Sequence, residues 1–224
     1  MKYFTNKEET NKKNLAFLLK EYNKEIFSKF PKLPPSEEIP ERLAVVRHLN
    51  PQSKVLEIGA NKGGVSATIA SVLDDSKNLV SVEPIQSTCE GLKDVGLKIG
   101  KPFRIFCGVL RGESAEYITC DGEKNSFATC VTSSKETTET INLTFKEIEE
   151  LFSIQFDTVV IDCEGCYTHF LQDIVQNENI KQIQIEWDGE FKEEEILKNG
   201  FSLLANYYHI DLPKGVRVYE RGEN

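Results

Sequence analysis

Apolar positions change their period several times along the chain, and each change predicts an element. Leu15, Leu18, Leu19, Tyr22, Ile26 and Phe30 recur at helical spacing, which predicts an amphipathic helix over 11–30. Pro31, Pro34 and Pro35 stop it, because proline lacks the amide that a helix interior needs. Ser36, followed by Glu37 and Glu38, opens a second helix through Arg42–Leu49. Beyond Pro51, short apolar runs rich in β-branched residues alternate with helical stretches. Strands are predicted at Lys54–Ile58, Asn78–Pro84 and Phe103–Val109, with helices over Val65–Leu73 and Gln86–Ile99.

Residues 111–143 interrupt this rhythm with Gly, Ser, Thr, Glu and Lys, apart from extended pieces at Glu116–Thr119 and Phe127–Val131. A stretch that long inside a compact domain is usually functional. The alternation then resumes with a helix over Thr144–Leu151, a strand at Phe156–Asp162, a helix over Cys166–Val175 and a strand at Gln182–Glu186. An acidic helix over Glu190–Asn199 and a closing pair of strands, Phe201–Tyr208 and Val216–Tyr219, complete the chain. This order predicts an α/β fold: a doubly wound, mostly parallel sheet with an antiparallel closing strand. Residues 1–50 form an N-terminal helical extension and 51–224 the ligand-binding domain. The unbroken apolar run 156–161 suits a central strand buried on both faces. In such sheets ligands lie beyond the carboxyl ends of the strands, where strand order reverses.

Composition and charge narrow the function. The 224 residues suit one domain plus a short appendage. No apolar run approaches the roughly 18–20 residues that cross a bilayer, and the first residues do not read as a secretory signal. A cytoplasmic location is expected. Of a net charge of −9, residues 1–33 contribute +4, which leaves −13 for the remainder. Nucleic-acid binding needs a surplus of cations, so the main body is not built for it, and the lysine-rich start reads as a solvated helix face. Cys89, Cys107, Cys120, Cys130, Cys163 and Cys166 read as reduced thiols.

Three predicted strand ends carry chemistry. Glu57-x-Gly59-x-x-x-Gly63 joins a strand to a helix, where glycines allow a sharp turn and close approach to a ligand. Glu83, 26 residues beyond Glu57, ends the next strand, where a carboxylate accepts both hydroxyls of a ribose. A dinucleotide site would want a second glycine where Asn61 stands, and Glu57 would repel a phosphate. A ligand with a ribose, no phosphate, a sulfonium and an amino acid moiety fits these residues, and S-adenosylmethionine is such a ligand.

Val55-Leu56-Glu57-Ile58-Gly59-Ala60-Asn61-Lys62-Gly63, then Val82-Glu83-Pro84, then Ile161-Asp162-Cys163-Glu164-Gly165 resemble the FkbM-type O-methyltransferases over residues 53–188. That resemblance implies a Rossmann-like methyltransferase fold with S-adenosylmethionine as cofactor. It implies that Glu57, Gly59, Asn61 and Gly63 hold the methionine part, that Glu83 holds the ribose hydroxyls, and that Ala60 and Pro84 belong to the same cofactor site. Asp162 and Glu164 would then face the sulfonium and the acceptor. Glu57 replaces the commoner Asp of the family, Val160 its usual Lys, and Tyr167 a frequent second Glu.

Methyl transfer from a sulfonium is an in-line displacement in which alignment supplies up to roughly 7–11 kcal/mol. A hydroxyl acceptor also gains about 10²–10⁴-fold from a base. Asp162, Glu164 and Glu186 are the candidates for that role, with Asp188 and the histidines behind them. The four carboxylates offer an alternative, a divalent cation held by oxygen ligands. His169 projects opposite the apolar stripe of its helix and reads as a solvated residue. His48 suits a helix C-terminus, and His209 reads as packing beside the closing strands. The expected acceptor is a sugar hydroxyl, with another small hydroxylated metabolite as the second choice. Arg111, Ser133 and Ser134 offer hydrogen bonds, and Tyr117, Phe127, Trp187, Tyr207 and Tyr208 offer aromatic faces. Two competing readings are a protein that binds the cofactor without turnover and a redox or zinc site at Cys163–Cys166.

Overall fold

A computed structural model describes residues 12–34, 38–113, 117–121, 129–133, 140–163, 165–188, 191–208 and 214–222. The N-terminal part forms α1 (Lys12–Lys29) and α2 (Ile39–His48), and the sheet then opens with β1 (Val55–Ile58), α3 (Gly64–Val72), β2 (Leu79–Glu83), α4 (Gln86–Ile99) and β3 (Arg104–Cys107). Two small pairs follow: β4 (Val109–Leu110) with β7 (Asn142–Leu143), and β5 (Tyr117–Asp121) with β6 (Thr129–Ser133). The chain returns through α5 (Phe145–Phe152), β8 (Thr158–Ile161), α6 (Leu171–Gln176), β9 (Gln182–Asp188), α7 (Glu193–Leu197), β10 (Phe201–Tyr208) and β11 (Lys214–Arg221).

The seven long strands form one sheet in the order β10-β11-β9-β8-β1-β2-β3. β11 runs antiparallel to both β9 and β10, while the pairs among β9, β8, β1, β2 and β3 are parallel. The expected doubly wound sheet and its antiparallel closing strand are therefore present. Strand order reverses at β1, since the chain moves outward to β2 and β3 and then returns to β8 on the other side. The carboxyl ends of β1 and β8 are where such a sheet leaves a crevice.

Side chains on a strand alternate between faces, which divides the core in two. Leu56, Ile58, Val80, Val82, Val159, Ile161, Ile183 and Ile185 pack with α5, α6 and α7. Val55, Leu79 and Val160 face the other way, against Val65 and Ile69 of α3, Val45 of α2 and Ile26 of α1. Leu43 and Ala44 of α2 continue this layer over Ala205, Tyr207, Val216 and Val218. The N-terminal helices thus complete the layer begun by α3. Arg42 pins α2 to it: fully enclosed, it donates from Nε to Thr68 Oγ1 at 2.9 Å and from Nη1 to the Pro34 carbonyl at 3.1 Å.

Several elements differ from the sequence expectation. The strand expected at Phe103–Val109 divides at Gly108, where a Cβ would run into the Ile141 carbonyl and the Phe106 ring. β4 accordingly leaves the main sheet to pair with β7. The helix expected over Cys166–Val175 splits into a 3₁₀ turn, Cys166–His169, and α6. Phe170 sits at the break with φ −135° and its side chain in the core, so burial of the ring prevails over a continuous helix. The acidic helix is shorter than expected, Glu193–Leu197.

The cysteines are a correction. The expectation was reduced thiols; the structure joins Cys89 of α4 to Cys107 of β3 and Cys163 to Cys166 as disulfides. Cys120 and Cys130 are backbone register partners of β5 and β6. Sequence distance did not reveal the first pair, because only helix-on-sheet packing brings α4 to β3. Among the described residues, no helix is long and apolar enough to cross a membrane.

Candidate functional site

Register places the acidic residues on one face. Glu57 pairs across the sheet with Ser81 and with Val160, and Val160 with Gln184. One step of the pleat further, Glu83, Gly59, Asp162 and Glu186 lie on that same face, at the carboxyl ends of β2, β1, β8 and β9.

The turn after β1 is tightly specified. Gly59 has φ +92°, and a Cβ there would overlap the backbone carbonyl of Asp162. The glycine is required first by the approach of two chain segments, β1 and β8. The amides of Gly59 and Ala60 both donate to the Val82 carbonyl, at 3.1 and 3.0 Å, which ties the turn to β2 as well. Asn61 adopts a left-handed conformation, φ +46°, and Gly63 does so again at the start of α3.

Glu83 stands over this turn. Its Oε2 accepts the Asn61 amide at 2.9 Å and its Oε1 accepts the Ile85 amide at 2.9 Å, while burial raises its pKa. A carboxylate has about four lone-pair sites, so acceptor capacity for two hydroxyls is left. Pro84, half-buried, separates Glu83 from the Ile85 amide that it accepts. Glu57 is enclosed at 1% exposure and accepts from Ser81 Oγ at 2.5 Å. Its other oxygen meets no donor at hydrogen-bond distance, although the Ser66 hydroxyl, like Ser81, favours the ionised form. Burial outweighs both and pushes the pKa up to about 7.

Asp162 and Glu186 meet at the tips of β8 and β9. Because Ile161 and Ile185 are register partners, the next residues emerge side by side. The Asp162 carboxyl donates to Glu186, and Lys214 at the start of β11 contacts Glu186 Oε1 at 2.6 Å. Burial holds the Asp162 pKa well above the ordinary carboxylate value; Glu186 adds to this, and Glu41 and Glu38 on and before α2 add less. With burial acting on Asp162 and Lys214 set against Glu186, a proton shared by the pair is favoured on the Asp162 side.

Not every expected residue joins this group. Glu164 and His209 lie outside the described residues, as do Phe127 and Ser134. Trp187, one step from Glu186, turns to the opposite sheet face, where it packs edge-on to Tyr208 and beneath Arg217. Tyr207 is bonded to His48, 2.7 Å away. Burial lowers the His48 pKa, so His48 is the neutral partner of a tyrosine rather than the helix-end cation expected. His169 is half-buried on the 3₁₀ turn rather than solvated. Arg111 pairs with Glu147 of α5. Among the described residues, no group of three or more His, Cys, Asp or Glu side chains is arranged to hold a metal. Lys214 is the residue that sequence reasoning missed. Only the antiparallel insertion of β11 beside β9 brings it to Glu186, and no spacing in the chain signals that contact.

No protein-family model matches the sequence, and no curated protein matches it. Solved structures do resemble the fold. A Klebsiella pneumoniae protein with an inferred O-methyltransferase designation is 12% identical over 93% of this chain and 96% of its own, with a TM-score of 0.52. A Streptococcus agalactiae protein of the NADB-Rossmann superfamily is 14% identical over 86% of this chain and 71% of its own, at a TM-score of 0.51. M. capricolum TrmK, solved with its cofactor product S-adenosylhomocysteine, is 12% identical over 81% of this chain and 68% of its own, at 0.50. At these identities the likeness establishes the fold alone: a Rossmann-like α/β architecture.

Proposed function

We propose that this protein is an S-adenosylmethionine-dependent O-methyltransferase of the FkbM type, acting on a hydroxyl of a sugar or, second, of another small hydroxylated metabolite. The observation that carries this reading is the Glu83 carboxylate, held by two backbone amides over the β1 turn with acceptor capacity to spare. Glu83 would take the ribose hydroxyls, and the turn Gly59–Gly63 would lie along the methionine part with Pro84 beside the ribose. Enclosed Glu57, its pKa pushed up to about 7, would act on that moiety's amino group once ionised. The bound cofactor supplies an electrophilic methyl group on a sulfonium.

The chain's own residues do the rest. The Asp162–Glu186 pair accepts the hydroxyl's proton once it is itself unloaded, and Lys214 stabilises the resulting negative charge. Glu164, one residue beyond the disulfide-linked Cys163, is proposed to orient the acceptor. Glu38, Glu41, Glu83 and Glu186 make this face acidic against Lys214 and enclosed Arg42, which favours an uncharged acceptor over a phosphate-bearing one.

Calorimetry with S-adenosylmethionine, followed by transfer of labelled methyl to a panel of glycans and small hydroxylated compounds, tests the proposal. Cofactor binding and labelling of a hydroxyl are expected, with Asp162→Asn abolishing transfer and leaving binding nearly intact. Absence of cofactor binding overturns the reading. Binding without transfer to any hydroxyl overturns its O-methyltransfer part.

A further inference from the structure

Asp162 and Glu186 follow the register partners Ile161 and Ile185, so the two carboxyls stand side by side at the tips of β8 and β9, where one shared proton is favoured over two adjacent charges. Lys214 contacts Glu186 at 2.6 Å while burial acts on Asp162, which divides the roles: the proton is favoured on the β8 side and the cation stands on the β9 side. The same proton is an obstacle to base catalysis, since a pair already loaded cannot accept the hydrogen of a hydroxyl. Glu41 of α2 and Glu38 at its N-cap act on Asp162 as well, and both favour keeping the proton. An incoming cation reverses that balance.

We infer that binding of the positively charged cofactor drives the shared proton of Asp162 and Glu186 out to solvent, so that the base is unloaded by the cofactor before the acceptor arrives. This rests on the proposed function, which brings a sulfonium to the β8 tip. The proton passes to a buffer base, leaving two carboxylates balanced by Lys214 and the bound positive charge. The order of events then guards the reaction: an acceptor that enters first meets a loaded pair.

Titration calorimetry of the full chain reads this directly. It is run at pH about 6, above the ordinary carboxylate range, in buffers of different ionisation enthalpy. The S-adenosylmethionine heats should vary with the buffer in the sense of proton release, up to one proton per cofactor. S-adenosylhomocysteine, whose sulfur is uncharged, should release distinctly less. Asp162→Asn should abolish the buffer dependence, and its persistence would assign the proton to Glu57 or Glu83 and overturn the inference. Should that variant fail to fold or bind, Lys214→Met decides. Loss of the cation should move the pH of maximal release upward by roughly 1–3 units, and an unmoved maximum overturns the inference. Wild-type binding with buffer-independent heats, or equal release with both ligands, overturns it while leaving the proposed function standing. A wild-type chain that binds neither ligand overturns both.

Discussion

The Glu83 carboxylate accepts the backbone amide of Asn61 at 2.9 Å, so the end of β2 holds the turn that follows β1. Its second oxygen does the same for Ile85. Each oxygen must therefore be an acceptor, which a carboxylate satisfies and an amide does not. In Glu83→Gln one backbone N–H faces a side-chain NH₂, at a cost of about 1–3 kcal/mol for the unmet group. Calorimetry should show cofactor affinity reduced by about 5- to 150-fold, in line with that cost. Undiminished affinity would remove Glu83 from the site.

Gly59 and Gly165 both have positive φ but differ in surroundings. A Cβ on Gly59 overlaps the Asp162 carbonyl, whereas one on Gly165 meets nothing within 4 Å. Gly165→Ala should cost only the left-handed conformation, about 1–2 kcal/mol. Gly59→Ala must also force β1 and β8 apart, and a loss above about 4 kcal/mol is expected. Denaturant unfolding of the two variants compares them; similar losses would contradict the close approach.

Glu57 links stability to pH. Its folded pKa of about 7 exceeds the reference 4.5, so the folded state holds this proton more tightly than the unfolded chain. The stabilising contribution is complete below 4.5 and is lost as pH rises to about 7. Over that window the loss comes to about 3 kcal/mol. Glu57→Gln should lack this dependence. The difference in unfolding free energy between wild type and variant, measured at pH about 5 and about 8, should therefore change by most of that amount. A constant difference would show that Glu57 is not held protonated.

The two described disulfides differ in the loop they close, 18 residues of separation for Cys89–Cys107 and 3 for Cys163–Cys166. Chain entropy assigns about 3 and about 2 kcal/mol respectively. Cys89 is also fully buried, so its truncation adds a cavity. The Cys89→Ala, Cys107→Ala double variant should melt below the Cys163→Ala, Cys166→Ala variant. The latter should keep its cofactor affinity and its methyl transfer; loss of transfer with affinity intact would revive a redox role for that pair.

Much of this protein follows from local pattern. Period-two and helical apolar runs locate the seven long strands and the helices between them, because burying one face of each element is decided within a few residues. Gly59 and Glu83 are legible for a similar reason: a turn between strand and helix needs backbone freedom, and a carboxylate that ends a strand stands beside the neighbouring strand's turn. Other features depend on which strands become neighbours. The split at Phe170 comes from burial of its ring, and the Cys89–Cys107 bond from α4 lying on β3. The contact of Lys214 with Glu186, and through it the state of Asp162, comes from β11 entering antiparallel beside β9. Pairing between strands distant in sequence is a property of the closed core, and a side chain's charge state depends on the water that core excludes, so neither is written in the spacing of residues along the chain.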